Sequence, residues 1–259
     1  MSSEEGRPLS PNTLQRDHLA AVTAWAEKTR ELLEPLAREH RGRVHFRPGS
    51  RGVAMVGLLS SRPQRGRSGF RDLARLARDF EALFQKHCVE VAQGRPTPEK
   101  TLQSWMTADA YHHARQMHSL DLATGDQERT LFIGDELALP QGNGGRIVCD
   151  LLALRCGPSG RKVPAVIELK SARHMRRLVE QVQSYASAID LQKGAFEDLF
   201  SAVLGERIRF DGPTERWIVW PQAGSIADPR QEELASEGIR VVGYEQAGQD
   251  FTFRVGPRP

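Results

Sequence analysis

Cysteine is scarce in this chain of 259 residues: Cys88, Cys149 and Cys156 are the only three, and none forms a CxxC pair. An odd, scattered set excludes a disulfide-built scaffold. It reads as free thiols in a reducing compartment, so a cytoplasmic setting is expected. Long apolar runs are missing as well. None approaches the ~20 residues that a membrane helix needs. The opening MSSEEGRPLS is acidic and polar, not basic and then apolar, so neither a secretory signal nor a membrane partner is expected. No G-x-x-x-x-G-K-[ST] loop is present, so any nucleotide-driven motor would be another chain. The run HHARQMH holds His112, His113 and His118, but its spacing does not put three imidazoles on one helix face, which argues against zinc there. Lysine is rare, at six of the 36 basic residues.

What is present is the composition of an ordinary globular protein, 39% apolar and 27% charged. The net charge of +3 hides an uneven distribution. Arg38 to Arg78 holds eleven arginines against two acids, Glu39 and Asp72. Such a block suits a phosphate-binding surface, or else a solvated face in a chain that uses Arg almost everywhere.

Apolar residues at helical spacing predict a helix over 12–40, kinked or divided at Pro35, and another over 70–93. Residues 43–59 suit two short strands around a Gly/Pro turn, and 60–69 a basic loop. Residues 92–101 suit a linker, with Thr97 capping a helix over 98–117. Strands are then expected at 129–139, 146–155 and 165–170, helices at 172–190 and 194–205, and a strand at 216–221. A short helix near 229–237 and strands at 239–244 and 250–255 close the chain. No internal repeat is found. The expected fold class is therefore α/β, with a mostly helical, basic accessory region over 1–95 and a second domain over 96–259.

The chemistry centres on AVIELKSAR, Ala165 to Arg173, where Glu168 and Lys170 interrupt a buried strand. Ionisable groups in a strand core are costly unless something pairs with them. Residues two apart share a strand face, so Glu168 and Lys170 emerge side by side. The preceding strand IVCDLLALR carries one acid, Asp150. Adjacent strands lie about 4.8 Å apart, so a suitable register stands Asp150 beside Glu168. Two close carboxylates repel, and a hard divalent cation such as Mg²⁺ relieves that repulsion. Lys170 can stabilise developing negative charge or position an attacking water, and its nearness to the metal and low solvation are expected to favour the neutral amine. E-x-K alone is a weak signal. The plain alternative is a structural ion pair at a strand end.

The pattern CDLLALR…AVIELKSAR resembles the core of the PD-(D/E)xK nuclease superfamily, with Asp150, Glu168 and Lys170 at the signature positions. Gln181 and Tyr185, at i and i+4 in LVEQVQSYA, are similar to the QxxxY element of its exonuclease-like and archaeal-type endonuclease branches. The resemblance covers about 97–222. It implies a restriction-endonuclease-like αβββαβ core and cleavage of DNA phosphodiesters with Mg²⁺, or Mn²⁺ in its place. Asp150 and Glu168 would then be metal ligands and Lys170 the catalytic lysine. Cys149 departs from the signature, which has proline there. The family also implies an acid on the first core helix. Glu99 is the candidate, although a first-turn glutamate also favours the helix dipole, and Glu136 is the rival from the first strand. Gln181 and Tyr185 either fix the ligands or are plain surface and core residues. Arg173, Arg176 and Arg177 either touch phosphates or form a solvated basic face. DNA is the expected partner, and a homodimer is compatible with that reading. The alternative function is a non-catalytic nucleic-acid-binding module on an inactive core of the same kind.

Overall fold

Alternating apolar runs and helical stripes in the second half of the chain build one mixed sheet with helices on both faces. The computed structural model describes residues 11–58, 64–90, 97–172, 178–222 and 229–255. In chain order the elements are α1 (Pro11–Leu32), α2 (Glu34–Glu39), β1 (Val44–Gly49), β2 (Gly52–Gly57), β3 (Arg65–Phe70), α3 (Leu73–Arg78) and α4 (Phe80–Phe84). A π-helical turn follows at Gln85–Val89, then α5 (Pro98–His112), α6 (His118–Thr124), β4 (Arg129–Pro140), β5 (Arg146–Cys156) and β6 (Lys162–Leu169). The chain continues through α7 (Leu178–Leu191), α8 (Lys193–Leu204), β7 (Glu215–Pro221), α9 (Pro229–Ser236), β8 (Ile239–Ala247) and β9 (Asp250–Val255). Among the described residues no helix is long and apolar enough to cross a membrane.

The larger sheet has the order β4-β5-β6-β7-β8-β9. β4, β5 and β6 are antiparallel neighbours, whereas β6, β7 and β8 run parallel. The β6-to-β7 crossover carries α7 and α8, as a parallel connection requires. Side chains alternate across β6: Ala165, Ile167 and Leu169 face one core, and Val166 faces the other. On the Val166 side, α1, α7 and α8 cover the sheet. On the Ile167 side lie α5, α6 and the small sheet β1-β2-β3 with α3 and α4. Each fully buried Leu or Ile here contributes about 1.5–3 kcal/mol, so the middle strands hold the frame of the site. At the far end of β5 the guanidinium of Arg155, 1% exposed, is held by Thr130, Asp126 and Glu128 over the ring of Trp217.

The first 95 residues are less helical than their sequence suggests. Residues 65–69, expected as part of a basic loop, form the strand β3 together with Phe70, expected to open a helix. RGRSGF has no apolar alternation to announce it, and its pairing to β2 sustains it. Gly66 permits that pairing, because a Cβ there would run into the Met55 carbonyl oxygen. The helix expected over 70–93 is divided. Asp72 starts α3 by accepting from the Arg75 amide at 2.9 Å, and the chain turns again at Asp79. The break near Pro35 falls at Leu33, with Pro35 in the first turn of α2. The helix expected to reach 117 stops at His112, because Ala114 and Arg115 take positive φ. That turn carries the Arg115 guanidinium to Glu34, 2.6 Å away, and an unanticipated helix, α6, follows. α1 packs on α8 and β4, and one apolar core joins β1 and β2 to α5 and β6. Of the expected linker at 92–101, residues 92–96 lie outside the described residues.

Candidate functional site

The β5–β6 ladder runs from Cys156↔Lys162 to Leu151↔Ile167. Beyond it the Asp150 side chain continues the pairing, its Oδ2 accepting the Leu169 amide at 2.8 Å. β6 remains tied to β7 on its other edge, and the Lys170 amide donates to the Val219 carbonyl at 2.9 Å. Asp150, Glu168 and Lys170 therefore sit where the sheet splays. Lys170 Nζ is 3.2 Å from Glu168 Oε2 and 3.7 Å from Asp150 Oδ2.

Glu168 is fully buried, while the side chains of Asp150 and Lys170 are each 21% exposed. Gln181 Nε2, from the first turns of α7, donates to Glu168 Oε2 at 2.8 Å and to the Val148 carbonyl at 3.1 Å. Glu168 Oε1 is buried and has no hydrogen-bond donor among the described residues. Buried polar atoms are nearly always satisfied, so an orphaned carboxylate oxygen calls for a proton or a cation. Burial, and then the neighbouring Asp150 charge, push the Glu168 carboxyl up to about 8, against the pull of Lys170.

Low solvation alone does not set the state of Lys170. Burial works against its charge, but Glu168, Asp150 and Glu99 outweigh it and hold the ammonium above its ordinary range. Both acids beside it favour the ammonium, whereas the expected neutral amine depends on a neighbouring metal ion.

The other expected residues divide. Glu99, in the first turn of α5 behind the Thr97 cap, accepts from the Ser171 amide at 3.1 Å and its hydroxyl at 3.3 Å. It thus grips the backbone next to Lys170. Tyr185 is fully buried one turn beyond Gln181, and its hydroxyl donates to the Leu137 carbonyl at 3.0 Å. It braces β4 from behind and makes no hydrogen bond to the acids. Arg173, Arg176 and Arg177 lie outside the described residues.

Glu136 belongs to a second ionic cluster, which the sequence reading missed. Facing Asp150 across the β4–β5 ladder, it interrupts the strand with φ +47°, between the pairs Asp135↔Leu151 and Leu137↔Cys149. The strands change faces there: Leu151 packs in one core and Cys149 in the other. Positive φ on a residue with a side chain is costly and persists only where its surroundings fix it. Here Arg47 Nη1 binds Glu136 Oε2 at 2.7 Å, and Lys100 binds Oε1. Asp135, next along β4, is buried, with Oδ1 taking His45 Nε2 at 2.9 Å and Arg47 Nε at 2.7 Å. Burial alone would raise Asp135, but Arg47 and His45 outweigh it and hold its carboxyl well below the usual carboxylate range. Gln103, buried on α5, joins the clusters. Its Nε2 donates to Asp135 Oδ2 at 3.0 Å and to the Asp150 carbonyl at 3.3 Å. The available signal was the acid pair in LFIGDELAL, which interrupts an apolar strand as Glu168 interrupts the next.

Among the described residues no group of three or more His, Cys, Asp and Glu is arranged to hold a metal ion. The donors here are two carboxylates, the number Mg²⁺ commonly takes from protein alongside water and phosphate oxygens. The orphaned Glu168 oxygen and the repulsion from Asp150 fit a cation of that kind. No family model matches the chain, and comparisons with curated proteins and with solved structures give no match.

Proposed function

We propose that the protein is a metal-dependent nuclease that hydrolyses DNA phosphodiester bonds, on a restriction-endonuclease-like core formed by α5, β4, β5, β6, α7 and β7. The observation that carries this reading is the buried, incompletely satisfied Glu168 carboxylate held against Asp150, Lys170 and Gln181. Asp150 and Glu168 would hold Mg²⁺ or Mn²⁺, which when bound supplies Lewis acidity at a phosphoryl oxygen and lowers the pKa of water.

The remaining contributions belong to the chain. The Leu169 amide fixes Asp150, and Gln181 fixes Oε2 of Glu168. Loss of the Glu168 proton readies the site for a cation, so it competes with protons near neutral pH. The Lys170 ammonium can neutralise charge developing on the scissile phosphate, in a partly water-excluded position where such a charge acts strongly. Glu99 holds the segment after Lys170 in place.

The test is cleavage of labelled single- and double-stranded DNA with Mg²⁺ or Mn²⁺. Lys170→Ala and Asp150→Ala are each expected to lose about 10³-fold or more in rate while keeping a cooperative thermal transition. Wild-type rates in both variants would overturn the assignment. The arginine-rich N-terminal sheet favours one second reading, a nucleic-acid-binding module without cleavage. It predicts salt-dependent binding and no product with either metal.

A further inference from the structure

We propose that a groove between the N-terminal sheet and the β4–β5 edge binds the phosphodiester backbone of the nucleic-acid strand delivered to Asp150 and Glu168. This rests on the nuclease reading for its destination, but not for its own chemistry. The groove has a volume of about 500 Å³ and runs past the turn Gly49–Gly52, the end of β3 and the start of β5. Among the described residues four arginines line it, Arg47, Arg51, Arg71 and Arg146, against one acid, Glu136.

The four differ in state. Arg47 is engaged by Asp135, Glu136 and Gln64 and forms a fixed part of the wall. Arg51, Arg71 and Arg146 are exposed, and none has an acid of the described residues within ion-pair distance. Arg71 Nε reaches only the Arg51 carbonyl, at 3.3 Å. Three unpaired guanidiniums around one concave slot favour a polyanion, and Arg presents a fork matched to phosphate oxygens.

The groove also points at the site. Glu136 lines it and stands across the ladder from Asp150. Arg146 precedes Asp150 by four residues on β5, roughly 13 Å at the rise of a strand. A backbone lying on Arg51, Arg71 and Arg146 therefore leads to the carboxylates. Among the described residues the exposed large apolar side chains, Leu32, Val89, Leu122 and Leu191, lie outside the groove and offer it no wedge for lipid.

The experiment measures binding of labelled oligothymidylate, duplex DNA and an RNA oligomer to the full chain in EDTA, across a salt series. The triple variant Arg51→Ser/Arg71→Ser/Arg146→Ser should show a log K against log [salt] slope shallower by about 2 for single strands. Its affinity should fall on the order of 100-fold near 0.1 M salt, with the difference closing toward 1 M. Arg51→Lys/Arg71→Lys/Arg146→Lys should retain the slope. A charge-matched control, Arg129→Ser/Arg207→Ser/Arg254→Ser, lies outside the groove and should bind as wild type. Equal loss in both serine triples, or none in the groove triple, would overturn the proposal, as would preference for phosphatidylserine vesicles over all three oligomers. Groove-dependent binding without cleavage in Mg²⁺ or Mn²⁺ leaves the groove standing and sinks the nuclease reading. Cleavage with an unchanged KM in the groove triple does the reverse.

Discussion

Two ionic clusters lie on neighbouring strands, joined by Gln103; burial raises the carboxyl in both, yet their neighbouring charges leave the two acids shifted in opposite directions. In the His45–Arg47–Asp135 cluster the cations dominate: Asp135 has both oxygens occupied, and its carboxyl is held well below its ordinary range. In the Asp150–Glu168–Lys170 cluster two carboxylates share one lysine, Glu168 Oε1 has no donor among the described residues, and its carboxyl is pushed up to about 8. Burial is similar for Asp135 and Glu168, at 1% and 0% exposure. The balance of charge differs. The first cluster is complete and ties the small sheet to β4. The second is one cation short, and the proposed nuclease site rests on that shortage.

The largest way to sharpen this contrast, after loss of cleavage in Lys170→Ala, is to make the complete cluster incomplete. Arg47→Met leaves Asp135 buried with His45 as its remaining basic partner and should cost about 3–5 kcal/mol in urea denaturation. A cost below about 1 kcal/mol would show that Arg47 is not the counter-charge.

The clusters should also give stability opposite slopes with pH. Glu168 has a raised folded pKa, so its stabilising contribution is whole below about pH 4.5 and is lost as pH rises to about 8. Asp135 has a depressed folded pKa, so its contribution is whole above about pH 4 and is lost below it. In thermal melts without metal, Glu168→Gln should remove the decline between about pH 4.5 and 8 and leave the acid limb intact. An unchanged profile would contradict the stated cause of the Glu168 shift.

Smaller effects separate Gln181 from Tyr185. Gln181→Ala removes the amide that orients Glu168 and should weaken Mn²⁺ binding about 10–100-fold. Tyr185→Phe removes one buried hydrogen bond to Leu137, should cost about 1 kcal/mol, and should leave metal affinity unchanged. Equal effects on metal affinity would mean that the two act as one unit.

The strand segments of the second half, and the meeting of Asp150, Glu168 and Lys170, were legible because they depend on local periodicity and one short connection. Glu168 announces itself by breaking a run of Val, Ile and Leu. The second cluster did not, because His45 and Asp135 are 90 residues apart and nothing local pairs them. β3 was hidden for a related reason: Arg and Gly dominate it, and only β2 makes it a strand. The pull of the two acids on the lysine charge was less legible, because it depends on how close the folded strands bring them.

The most direct test is calorimetric titration of Mn²⁺ into the full chain near pH 7 in buffers of different ionisation heat, for wild type and Glu168→Gln. The account predicts one ion per chain in wild type, released protons approaching one per ion because Glu168 must ionise, and loss of both in the variant. Absence of Mn²⁺ binding, or identical affinity and proton release in Glu168→Gln, would contradict it.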